Sequence, residues 1–326
     1  EDRAYRIYKV IPLFSEEMAA KALFYAANVV FSEKEYKRAL RDYKAVVDQF
    51  PNSDLADEVY YQIGWCYYKM ERFKDAHRAF EKVAKAGSPY SASAIYWCGW
   101  SHFMQGEYEE AEKDYLQVIE RAHSGLREEA RFRLASSLYN QGRFAEAQKV
   151  YQEVVEEMED PKLKREALYQ VGDCLLKQRK MGGAISYYKL FLEASSDIEL
   201  KEQVQFRIAE IYYQEGKKDL ARAEYERFIS DFPDSERLPD AYYWIGRSFL
   251  PEEPEKALSY FKRVAETESD WAAESRFRTG VILHNIGRYR ESAKEFEKVV
   301  KYHRDREDLV AEAKEYLERM GYGETD

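Results

Sequence analysis

The chain repeats itself every 35 to 37 residues, and no other feature limits its possible folds so tightly. An alanine followed four residues later by Tyr or Phe recurs at Ala39, Ala76, Ala111, Ala147, Ala184, Ala221 and Ala257, with Ser292 in the eighth place. The rings are Tyr43, Phe80, Tyr115, Tyr151, Tyr188, Tyr225, Phe261 and Phe296. Twelve residues before the marker stands a small residue: Ala27, Gly64, Gly99, Ala135, Gly172, Ala209 and Gly280. Gly246 precedes Ala257 by only 11, so the seventh copy is one residue short at its turn. Each period reads as two helices, the small residue of the first admitting the ring of the second. Gly106, Gly142, Gly216 and Gly287 fall between the two, where a left-handed cap is expected. Phe50-Pro51-Asn52-Ser53 and Phe232-Pro233-Asp234-Ser235 fall between copies. There proline stops one helix, and Ser or Asp is expected to cap the next.

Composition points the same way. Eight prolines and 15 glycines are few for 326 residues, and with 45% apolar and 34% charged residues the chain leans all-helical. It is neither a disordered tail nor a bundle of membrane spans. The net charge of −10 argues against nucleic acid as the main partner, because phosphate neutralisation needs a basic surface. Three cysteines exclude a disulfide-dense scaffold.

The pattern resembles the tetratricopeptide repeat, carried in one copy by Tyr60, Ile63, Gly64, Tyr67, Ala76, Phe80 and Val83. The resemblance implies an all-α fold: a right-handed superhelical solenoid of about eight helix pairs in a single domain. Its expected parts are a partial repeat at 1–18, eight repeats over 19–304, and a closing helix and tail over 305–326. Ala4, Tyr8 and Ile11 reproduce the marker pattern 35 residues before Ala39, so the chain is expected to be the C-terminal part of a longer protein. The stretches 49–68 and 231–249 look most like repeats of bacterial cell-envelope proteins, of the Tol–Pal coordinator and outer-membrane assembly lipoprotein kinds. That implies the periplasm or the outer membrane as the place of work, with the cytoplasm as the alternative.

Proteins of this kind line a concave groove with their first helices. With the small residue counted as position eight, positions two, five, nine, twelve and thirteen face that side. The candidate partner-binding residues are then Phe24, Asn28, Phe31, Tyr61, Trp65, Tyr68, Tyr96, Trp100, Phe103, Phe132 and Tyr139, joined by Trp97 at position six on the flank of the same wall. Large rings on a concave surface concentrate binding energy. Fifth-position rings have a second reading, partial burial against the neighbouring helix. Trp65 and Trp100 stand where a clamp for acidic C-terminal peptides would need polar groups, which argues against that mode. Carboxylates at position two (Glu58, Glu129, Glu166, Asp240, Glu274) read as first-turn residues favoured by the helix dipole. Beyond the fourth repeat the ninth position turns charged, at Asp173, Glu210 and Arg247.

No catalytic constellation emerges. The histidines, His77, His102, His123, His284 and His303, have no second His or Cys at metal-ligand spacing, and there is no phosphate-binding loop or nucleophile elbow. Cys66, Cys98 and Cys174 read as small buried apolar residues. The expectation is therefore a non-enzymatic scaffold for protein or peptide segments, with no cofactor, no metal and no nucleic acid. Its rivals are a structural spacer, or the substrate-docking half of an enzyme whose catalytic domain lies upstream.

Overall fold

The computed structural model describes residues 15–157 and 160–322, and these contain 17 helices and no strand. Two compact units divide the chain between Tyr187 and Tyr188. The first unit holds α1 (Glu16–Ser32), α2 (Tyr36–Gln49), α3 (Ala56–Lys69), α4 (Phe73–Ala86), α5 (Ser91–Met104), α6 (Tyr108–Arg121), α7 (Ser124–Asn140), α8 (Phe144–Glu157) and α9 (Pro161–Lys177). The boundary falls within α10 (Met181–Ala194). The second unit holds α11 (Ile198–Gln214), α12 (Lys218–Asp231), α13 (Leu238–Ser248), α14 (Pro254–Ala265), α15 (Ala272–Asn285), α16 (Tyr289–Tyr302) and α17 (Glu307–Arg319). Within α1–α9, and again within α11–α17, every helix packs on its neighbours in sequence. This is the nearest-neighbour pattern of a helical solenoid, with eight pairs and a closing helix. The expected partial repeat marked by Ala4, Tyr8 and Ile11 lies outside the described residues.

The period has a direct physical cause. The marker alanines and Tyr43, Phe80, Tyr115, Tyr151, Tyr225, Phe261 and Phe296 are almost fully buried. At Gly64, Gly99, Gly246 and Gly280 the ring lies directly against the small residue. A methyl group on Gly64 would sit 2.5 Å from Phe80, and one on Gly280 would sit 2.7 Å from Phe296, so side chains are excluded there. The second helix also carries a buried apolar residue three after the ring, such as Val83 or Phe228. At the C-terminus α17 buries Leu309, Ala313 and Leu317, and Tyr316 stacks on Phe296 at 4.8 Å.

The hairpin turns follow one backbone recipe with two chemistries. Gly106, Gly142, Gly216 and Gly287 have φ between 73° and 81°, as the sequence predicts. Lys34, Glu71 and Arg179 hold the same place in other copies, at φ of 65°, 58° and 60°. A side chain in that left-handed region costs about 1–2 kcal/mol. Arg179→Gly is therefore expected to raise unfolding stability by up to about 1 kcal/mol, the loss of chain entropy taking back part of the gain. Gly142→Ala should lower it, and urea titration of the two variants checks both signs.

The FPNS and FPDS turns differ from expectation in one detail. Neither Ser caps a helix, for α3 begins after Leu55 and α13 after Arg237, without side-chain caps. Instead Ser53 Oγ accepts from the Leu55 amide at 3.3 Å and Ser235 Oγ accepts from the Arg237 amide at 3.0 Å, which fixes the turn one step earlier. Side-chain caps come from the short residues Ser15 at α1, Asp160 at α9 and Asp197 at α11, whereas Glu35, Glu107 and Glu253 precede helices without capping them.

The buried tyrosines are not equivalent. Tyr43 donates to Asn28 Oδ1 at 2.5 Å, and Tyr151 shares a 2.9 Å hydrogen bond with Ser136. The hydroxyls of Tyr115 and Tyr225 are buried and have no partner among the described residues. A paired hydroxyl contributes about 1 kcal/mol, whereas an unpaired buried one costs about 1–3 kcal/mol. Tyr43→Phe and Tyr151→Phe are expected to destabilise, and Tyr115→Phe and Tyr225→Phe to be neutral or stabilising. Four urea unfolding curves settle the pattern.

Candidate interaction surface

The first helices α3, α5 and α7 lie side by side, and their side chains build one aromatic wall. Trp97 on α5 reaches across to α3, with its ring 4.3 Å from Trp65 and 5.4 Å from Tyr68. Trp65 also meets Tyr68 edge-on at 5.5 Å. Trp100 donates from Nε1 to the Tyr68 hydroxyl at 2.8 Å and stacks on Phe103 at 5.5 Å. The Arg133 guanidinium of α7 lies over the Trp100 ring at 4.4 Å, a cation–π contact. Trp65, Tyr68, Trp97, Trp100 and Phe103 are all half-buried.

A polar lock holds the edge of this wall. Arg133 binds Glu129 at 2.9 Å, and Tyr96 donates to the same carboxylate at 3.1 Å. Arg133 Nε donates to the Tyr96 hydroxyl at 3.4 Å. Burial pushes the Tyr96 hydroxyl up to about 12, against the pull of Arg133, so it stays protonated and able to donate. Glu129, expected as a plain first-turn carboxylate, is thus a clamp between neighbouring repeats.

Several expected groove residues face inward instead. Phe24, Tyr96 and Phe132 are only 2%, 6% and 5% exposed. Each meets the ring of its own second helix: Phe24–Tyr43 at 5.9 Å, Tyr96–Tyr115 at 5.7 Å and Phe132–Tyr151 at 5.2 Å. Tyr61 does the same with Phe80 at 5.5 Å but stays half-buried. The fifth position is therefore the roof of the core, the second of the two readings open from sequence. Asn28 is occupied by the Tyr43 hydroxyl. Twelfth-position rings close the hairpin by meeting the first residue of the next helix. Phe31–Tyr36, Tyr68–Phe73, Phe103–Tyr108 and Tyr139–Phe144 lie at 5.3, 5.8, 5.2 and 5.2 Å.

Position six, which the sequence reading placed on the flank, is the centre of the wall. It carries Trp97 and Arg133, and in the first repeat Tyr25, which is 62% exposed. The same position carries Trp244 and Arg278 in the second unit, where sequence reasoning expected a charged surface. Trp244 lies 4.9 Å from Tyr213, and Tyr243 stacks on Trp271 at 4.0 Å. Arg278 binds Glu274 at 2.6 Å and donates to the Tyr243 hydroxyl at 3.3 Å, the same lock as around Arg133. The period itself carried this signal, in the shared register of Trp97 with Trp244 and of Arg133 with Arg278.

Family models described as tetratricopeptide repeat match residues 61–126 and 132–197, and a second of the same description matches 21–53 and 203–235, together more than half of the chain. The chain belongs to the tetratricopeptide repeat family. No curated protein matches it. Solved structures share the fold of these tetratricopeptide repeats. The C-terminal part of a TPR repeat-containing protein from Cytophaga hutchinsonii is 18% identical, with a TM-score of 0.64 over 77% of this chain and 98% of that one. A tetratricopeptide repeat protein from Parabacteroides merdae is 15% identical, with a TM-score of 0.53 over 81% and 98%. The apo quorum sensor NprR from B. thuringiensis is 15% identical, with a TM-score of 0.52 over 91% and 89%.

The repeats also assemble what sequence spacing hid. His77 and His102 lie 25 residues apart in sequence, yet their rings are 4.2 Å apart, and His102 Nδ1 is 2.8 Å from Asp114 Oδ2. No spacing within the sequence points to this grouping, which arises from the stacking of the second and third repeats. Cys66, Cys98 and Cys174 are free and buried, and burial pushes all three thiols up, so they behave as small core residues. No helix among the described residues is long and apolar enough to cross a membrane.

Proposed function

We propose that this tetratricopeptide repeat chain is a non-enzymatic scaffold that holds a partner protein segment on the first-helix wall of α3, α5 and α7. The observation that carries the reading is the Trp65–Trp97–Trp100 cluster. Its rings are fixed by packing and by the Trp100–Tyr68 hydrogen bond, yet each stays partly exposed. Pre-set aromatic side chains bind with little loss of conformational entropy, and Trp, Tyr and Arg dominate binding hot spots. The partner that fits is a peptide with apolar or aromatic side chains. Backbone polar groups of that peptide can pair with Arg133 and Glu129 at the rim. A bacterial envelope complex is the proposed setting, supported by the resemblance of the 49–68 and 231–249 turns to envelope repeats. Fractionation of cells producing the full-length protein tests that placement.

An arrayed peptide library tests the site. Wild-type protein should retain a set of aromatic-containing peptides that Trp65→Ala/Trp100→Ala protein loses. Tyr302→Ala, which removes a 60% exposed ring elsewhere, should leave the profile unchanged. Identical profiles for all three proteins would leave the array as a spacer.

A further inference from the structure

We propose that His77, His102 and Asp114 form a binding site for a first-row divalent transition-metal ion, zinc being the ion that best suits two imidazoles and a carboxylate. His77 comes from α4 of the second repeat, and His102 and Asp114 come from α5 and α6 of the third. One ligand atom from each lies within 4.8 Å of the others, and among the described residues no other such group of His, Cys, Asp and Glu converges. Three protein ligands with an open fourth position is the pattern of accessible zinc sites. Bonds of about 2.0–2.2 Å place tetrahedral ligands about 3.3 Å apart, so side-chain rotations of about 1.5 Å complete the shell.

The surroundings fit an ion. The His102–Asp114 contact is a 2.8 Å hydrogen bond, and an ion would replace the proton that bridges the pair, spreading the two atoms to about 3.3 Å. Glu107 Oε2 lies 3.8 Å from the other nitrogen of His102 and can orient the ring from outside. A cavity of about 480 Å³ reaches His77 and Asp114, giving an entry path and room for a water ligand. Glu81 lines that cavity too, paired with Lys85 at 2.6 Å, and Arg121 stands on the same lining, so Asp114 is the carboxylate left to the ion.

The consequence is mechanical. An ion at this place ties the second helix of repeat two to both helices of repeat three. The first helices of those two repeats carry Trp65 and Trp97, so metal binding would fix the spacing of the aromatic wall.

Isothermal titration of the full chain with zinc chloride, and visible absorption on addition of cobalt chloride, test the site. One ion per chain is expected, with the intense absorption of four-coordinate cobalt. His102→Ala and Asp114→Asn should weaken binding by at least about tenfold, the loss that even an outer partner's removal produces. His77→Gln, which keeps size and polarity, serves as a second variant should His102→Ala fail to fold. His303→Ala, a distant histidine, should leave binding unchanged. Absence of zinc and cobalt binding by the wild-type chain would overturn the proposal. So would stoichiometric binding that persists in His77→Gln. Neither result bears on peptide capture by metal-free protein, so this site and the aromatic wall fail independently.

Discussion

Phe80→Ala should lower the unfolding free energy by about 3–5 kcal/mol, the usual cost of emptying a fully buried aromatic site. Phe80 is completely buried and touches Tyr61, Trp65 and Trp97 at ring distances of 5.5, 6.4 and 6.4 Å. It fills the floor under the aromatic wall, so its removal also frees the indoles above it. Gly64→Ala attacks the same contact from the other side. Its methyl group would overlap the Phe80 ring, and overpacking of this kind costs about 1–3 kcal/mol. The two changes share one contact, so the double variant should lose less than the sum of the single losses. Urea unfolding of the four proteins measures the coupling. Hydrogen exchange should localise the loss to α3–α5, because each repeat is stabilised only by its neighbours.

Trp97→Ala should weaken capture of a wall-binding peptide by about 2 kcal/mol or more, roughly 30-fold. Trp97 is the centre of the cluster, in contact with Trp65, Tyr68, Tyr96 and Phe80. Its loss removes a contact surface and also leaves Trp65 without its support. Arg133→Ala should have a smaller effect, since it removes a cation–π contact and the rim lock but no apolar area. Peptide titrations of both variants, with circular dichroism to confirm helicity, give the ratio.

The fold was legible because its two determinants are local and periodic. The small residue and the ring sixteen positions later, fifteen in the seventh copy, mark one helix–helix contact, and eight copies of that mark leave little room for another architecture. The wall was legible only in part. Helical angle alone places the fifth position outward, but a ring there leans back over the second helix, as Phe24 does on Tyr43 and Phe132 on Tyr151. A long side chain on a helix covers the turn before its own Cα, so angular position misjudges where a ring ends. The same effect brings Trp97 from the flank to the centre. Asn28 read as a groove residue because nothing local reveals that the Tyr43 hydroxyl ends beside it. The His77–His102 pair was hidden for a different reason. Its spacing belongs to the stacking of two repeats and not to any single helix.

The chain has five tryptophans, of which only Trp65, Trp97 and Trp100 stand on the proposed docking wall. Trp244→Phe/Trp271→Phe protein therefore confines indole fluorescence to that wall. Titrated with a peptide retained by the wild-type array, it should shift its emission to the blue and resist acrylamide quenching as the indoles lose water. Undiminished binding with unchanged emission and quenching would show that the partner sits elsewhere, and the account of the wall as docking surface would be wrong.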